Sequence, residues 1–157
     1  MPLILFLGNP IYSDDRIGLI VGEKLKNRFE EEGFEVEILE KSGYNLVDYI
    51  AGQEIVFVVD SIVGEVGEVV LIENLEDLKI LFPRSPHYSG LPESLELMKA
   101  LNLAPKNFFV IGICVKDPFT ISDKMSPELE EIVDFVAERV YNCIKLLHLQ
   151  PRNKAKI

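Results

Sequence analysis

Two apolar runs, Leu3–Leu7 and Ile55–Val59, are continuous rather than alternating, and a third, Phe108–Cys114, is interrupted only by Gly112. Strands buried on both faces read this way, as they do in parallel sheets. After the first run, Ile17, Ile20, Val21, Leu25 and Phe29 recur at helical spacing, with Glu23, Lys24, Lys26 and Glu30 away from the stripe. This predicts a helix over about 15–31. Ser13 or Asp14 is placed to cap its start, and Gly33 to close it in the C′ position. Phe34, Val36 and Ile38 then alternate with Glu35 and Glu37, the pattern of a strand with one wetter face near a sheet edge.

Residues 44–51 predict a short helix with Leu46, Val47 and Ile50 inward, and the central strand 55–59 is expected to stop at Asp60. Gly64 and Gly67 mark a turn before a strand over Glu68–Ile72, and 73–90 reads largely as an exposed loop. Pro92 opens a helix to about 101. Ser126 as cap, Pro127 at the first helical position and Glu128 in the first turn begin the last helix. Its stripe is Leu129, Ile132, Val133, Val136, Val140, Ile144 and Leu147. Strands alternating with helices imply an α/β fold: a single three-layer α/β/α domain over 1–150, with a mainly parallel twisted sheet of about five strands and helices on both faces. The basic tail 151–157 is expected to fray.

Composition narrows the function. A formal net charge of -10 makes nucleic acid and anionic membrane surfaces poor partners. No apolar run approaches the roughly 20 residues that span a bilayer, and the N-terminus lacks the basic start of a signal peptide. Cys114 and Cys143 read as two buried thiols, which favours a cytoplasmic location, and the acidic surface suits a soluble monomer.

Three residues have the chemistry and placement of a site. Asp15 follows the loop after the first strand, Asp60 ends the central strand, and His87 lies in the long loop beyond the next one. Open α/β sheets gather such residues into one crevice at the carboxyl edge. Two carboxylates and an imidazole suit a divalent first-row metal with positions left for substrate. Each has a plainer reading, as a dipole-favoured acid, a turn residue and a solvated loop histidine. The glycine-rich dinucleotide and Walker fingerprints, CxxC, HExxH and GxSxG are all absent. Ser61 beside Asp60 has the chemistry of a nucleophile but no base near it in sequence.

The chain resembles the hydrogenase maturation endopeptidases, which process the C-terminus of the nickel-iron hydrogenase large-subunit precursor. The resemblance rests on Gly8-Asn9, four residues, then Asp14-Asp15, an aliphatic residue and Gly18. It extends to Val56–Asp60 followed by Gly67, to Ser85–Leu91, and to Asp117-Pro118 followed by Met125–Glu128. It implies that Asp15, Asp60 and His87 bind the precursor's nickel, with Asp15 and Asp60 catalytic. Gly8, Asn9 and Asp14 would support the loop and cap the helix. Phe6 stands where the family usually has glycine, Arg16 replaces the glycine after the acidic pair, and Asp117 replaces a common glutamate. Two other readings are a non-catalytic chaperone of a metalloprotein precursor and an aspartate-dependent peptidase with another substrate. Arg16 beside Asp15 is the departure most apt to change the site.

Overall fold

The computed structural model describes residues 1–40, 46–74, 76–77 and 91–150. Most of the expected loop, including His87, and the tail from Pro151 lie outside those residues. Five strands form one sheet: β1 (Leu3–Gly8), β2 (Glu35–Glu40), β3 (Ile55–Val63), β4 (Val69–Ile72) and β5 (Asn107–Val115). Their order is β2-β1-β3-β5-β4, parallel except for β4, which runs antiparallel to β5. The described helices are α1 (Ile17–Glu31), α2 (Leu46–Ile50), α3 (Leu91–Ala100), α4 (Pro127–Glu131) and α5 (Val133–Leu149).

The continuous apolar runs are buried because helices cover both faces. Ile4, Phe6, Phe57, Val59, Phe109 and Ile111 pack with the apolar stripes of α1 and α5. Their neighbours Leu3, Leu5, Leu7, Val56, Val58 and Val110 pack with Leu46, Ile50, Leu95 and Met98 of α2 and α3. The alternation of a strand thus assigns odd and even positions to different layers. The partly wet β2 is an edge strand, as its alternation implied. Cys114 and Cys143 form no disulfide, and burial raises the pKa of both thiols.

Two expected boundaries move. Strand β3 does not stop at Asp60: its pairing with β1 ends at Phe6↔Val59, but its pairing with β5 runs on to Val63↔Val115. Asp60 therefore lies inside a strand that has lost one neighbour. The last helix is broken at Ile132, whose backbone (φ -111°, ψ 14°) leaves helical torsion. The Ile132 Cδ1 methyl sits 2.6 Å from where a Cβ on Gly67 would stand, so the break seats Ile132 on that glycine. Gly33 does close α1 at positive φ, and its N–H donates to the Glu30 carbonyl.

Close approach of α1 to β1 sets the height of the loop between them. A Cβ on Gly18 would lie 2.0 Å from the Leu7 carbonyl oxygen, which is backbone and cannot rotate away. Gly22 lies against Phe6 in the same manner, its would-be Cβ 2.8 Å from the Phe6 Cβ. The missing side chain on the helix thus makes room for the Phe6 ring. Gly18→Ala is expected to lower unfolding free energy by about 3 kcal/mol or more through overpacking. Gly33→Ala, strained in torsion but open in space, should cost only about 1 kcal/mol. Paired denaturant titrations would check both, and equal losses would contradict this account.

Candidate active site

The segment 9–16 is held from two sides. On the strand side, Asn9 N–H donates to the Asp15 carbonyl (3.2 Å), Asp15 N–H donates to Tyr12, and Asn9 Oδ1 accepts from Ile11 N–H. A Cβ on Gly8 would come within 2.7 Å of the Asp15 carbonyl oxygen, so glycine there lets the turn fold flat over the strand end. Ser13–Arg16 forms one 3-10 turn leading directly into α1. Gly8 and Asn9 thus hold the loop's backbone.

On the other side stands the segment 117–126, more than a hundred residues on. Ser13 N–H donates to the Thr120 carbonyl, Asp14 N–H to Asp117 and Ser122 N–H to Ile11, around an isolated bridge between Tyr12 and Ile121. The fully buried carboxylate of Asp14 accepts from Ser126 N–H (2.7 Å), Ser126 Oγ (2.7 Å) and Asp117 N–H (2.9 Å). Helix capping by Asp14 or Ser13 is therefore a correction: neither the 3-10 turn nor α1 has a side-chain cap. The Ser13 hydroxyl donates instead to the Lys124 carbonyl. Ser126 likewise stands at the N-cap of α4 without a side-chain capping bond, its hydroxyl being given to Asp14. The N–H groups of Ser13, Asp14 and Asp15 already have backbone acceptors in Thr120, Asp117 and Tyr12, so the buried carboxylate takes its several donors from the remote segment.

Arg16 does not reach freely into solvent. Its guanidinium donates to the carbonyls of Ser13 (2.9 Å), Asp123 (2.7 Å) and Ser122, fastening the same remote segment from outside. Asp117 organises that segment locally: its carboxylate accepts from the Thr120 hydroxyl and from the N–H groups of Phe119 and Thr120. The Thr120 hydroxyl first, then the two N–H groups, hold its pKa below the usual carboxylate value.

Asp15 and Asp60 are both buried, at 7% and 0% exposure. They converge on one residue. The Ser61 hydroxyl donates to Asp15 Oδ1 (2.6 Å), and the Ser61 N–H donates to Asp60 Oδ1 (2.7 Å). Ser61 shares the odd register of Phe57 and Val59, beneath α1, which is why its hydroxyl meets Asp15 in the turn that leads into that helix. The site lies where β1 and β3 lead to opposite halves of the sheet, the switch point at which open α/β folds bind ligands. His87 lies outside the described residues. Among the described residues, no three His, Cys, Asp or Glu side chains group to hold a metal. The sequence offered Ser61 only as an unsupported nucleophile; the period-2 register of β3 was the signal for its true neighbour.

Fold and site together define an α/β domain that keeps two aspartates at the switch point of its sheet. The family model described as HycI, hydrogenase maturation protease, matches residues 19–143, a span that includes Asp60, Ser61 and His87 and starts just beyond Asp15. The chain belongs to the hydrogenase maturation protease family and is a maturation endopeptidase. It is 28% identical to the protein FrxA of Pyrococcus furiosus, over 84% of this chain and 96% of that one. It is 25% identical to the hydrogenase 2 maturation protease of Escherichia coli, over 91% and 90%. The fold matches the hydrogenase maturating endopeptidase HybD from E. coli with a TM-score of 0.72 at 22% identity, covering 92% of this chain and 91% of that one. It matches the [NiFe] hydrogenase maturation protease HybD from Thermococcus kodakarensis with a TM-score of 0.65 at 29% identity, covering 90% and 97%.

Removing the Asp14 carboxylate orphans three donors, so Asp14→Ala should cost about 3 kcal/mol. It should also speed amide exchange across 117–126, whereas unchanged exchange there would refute the role. Asp117 titrates below its unfolded value, so its support is complete above about pH 4 and fades as pH falls through the depressed folded value. Exchange at Phe119 and Thr120 should accelerate only in that acid range, and Asp117→Asn should abolish the acid dependence.

Proposed function

We propose that this protein removes a C-terminal peptide from the nickel-loaded precursor of a [NiFe] hydrogenase large subunit. In this reading Asp15, Asp60 and His87 meet the nickel, which arrives as part of the substrate. The observation that carries it is the convergence of two buried aspartates on Ser61 at the sheet's switch point, in a chain of this family. Carboxylate oxygens and an imidazole nitrogen form a mixed donor set suited to a divalent first-row metal. Completing the coordination of a metal already seated in the substrate holds the adjoining peptide in place, which supplies the proximity that amide hydrolysis needs. A carboxylate oxygen beside the scissile carbonyl then takes a proton from the attacking water, and the proton is returned to the leaving amine.

A protein substrate also suits the rim. Ile11, Phe119 and Ile121 are more than half exposed on the paired segments beside Asp14 and Asp15. Exposed apolar side chains grouped at a site fit protein contact better than a small polar ligand. No described helix is long and apolar enough to cross a membrane. The two free thiols and the acidic composition suit a monomer working in the cytoplasm.

Asp15→Asn, Asp60→Asn and His87→Gln should each slow processing by about 10²-fold or more while leaving the circular dichroism spectrum unchanged. Mass spectrometry of the large subunit, incubated with each variant with and without nickel, reads the result directly. Normal cleavage by all three variants, or equal cleavage of nickel-free precursor, would sink this function.

A further inference from the structure

We propose that Ser61 is a positioning residue that fixes the two aspartates relative to each other. The inference rests on the reading of Asp15 and Asp60 given above. Ser61 carries two donors, and one goes to each acid: the hydroxyl to Asp15 Oδ1 at 2.6 Å and the backbone N–H to Asp60 Oδ1 at 2.7 Å. Both distances are in the short range of bonds to carboxylates. Ser61 is itself buried at 6% exposure and is held by β5 through the pair Ser61↔Ile113, beyond the last residue that β1 supports. It is thus a rigid post between an acid on a loop and an acid on its own strand.

An aspartate on a turn has two side-chain torsions to settle. With Oδ1 taken by a hydroxyl on the sheet, the plane of the Asp15 carboxylate and the direction of Oδ2 are set before substrate arrives. The N–H bond does the same for Asp60. Outer hydrogen bonds that orient metal-contacting carboxylates are worth about 10–100-fold in affinity or rate. The hydroxyl proton is committed to Asp15, and no covalent step is assigned to Ser61.

The test compares wild type, Ser61→Ala, Ser61→Thr, Ser61→Cys and Asp15→Asn on nickel-loaded precursor, with crystal structures of the free variants as a readout independent of activity. Ser61→Ala is expected to lower kcat about 10–100-fold with little change in KM. It should also release the Asp15 side chain into more than one rotamer. Ser61→Thr, which keeps the hydroxyl, should restore most of the rate and the single rotamer. Ser61→Cys fills the same space with a weak donor and should behave like the alanine variant, which keeps the test available if alanine unfolds the protein. A wild-type kcat in Ser61→Ala would overturn the proposal, and so would complete loss of activity with the Asp15 rotamer unchanged, the mark of a nucleophile. Asp15→Asn separates the two claims. If it is inactive while Ser61→Ala is fully active, only the role of Ser61 fails; if it cleaves normally, the site reading itself fails.

Discussion

The buried carboxylate of Asp14 is the contact on which the geometry of the site depends. It draws donors from Asp117 and Ser126, and so binds the loop after β1 to the segment that follows β5. A carboxylate with no exposed surface is tolerable only when its oxygens are fully engaged. The segment 117–126 and the turn 13–16 therefore hold each other in shape. Asp15 is the next residue, so the direction of its side chain follows from where Asp14 is held. The acidic pair divides its work: one member builds the loop, and the other faces β3.

Around that contact the structure is assembled from close approaches. Gly18 lets α1 rest on the Leu7 carbonyl, and Gly8 lets the Asp15 carbonyl settle over the strand end. These two glycines are required by backbone contact. The departures from the family pattern are absorbed in the same physical terms. Phe6 occupies the space opened by Gly22, while Arg16 binds the carbonyls of Ser122 and Asp123. This cation clamps the frame of the site. Function then sits on a strand and on a 3-10 turn pinned from two sides, where side chains can be held to the tolerance that catalysis requires.

Much of the architecture was legible because it depends on short-range pattern. Continuous apolar runs announce strands covered on both faces, and a 3.6-residue stripe announces α1 and α5. The edge position of β2 showed in its alternation. Asp15 and Asp60 stood out because a parallel α/β sheet brings its strand-to-helix loops to one edge, whatever the details. Two predicted features failed for one reason: local rules offer every polar residue a local partner. Asp14 and Ser126 were expected to cap the helices they precede, yet each gives its side chain to the other across a sequence separation of more than a hundred residues. The end of β3 was misplaced likewise, since a strand continues as long as either neighbour pairs with it, and β5 outlasts β1.

By itself, then, the order of apolar and polar residues determined the layers, the parallel sheet and the edge at which chemistry gathers, because burial of periodic faces depends on little beyond nearest neighbours in the chain. Only the tertiary structure decided which oxygen meets which donor: that Asp14 ties two remote segments together, that Arg16 fastens the carbonyls of Ser122 and Asp123, and that Ser61 joins Asp15 to Asp60. Hydrogen bonds are directional and short, so their partners are settled by where the packed elements come to rest.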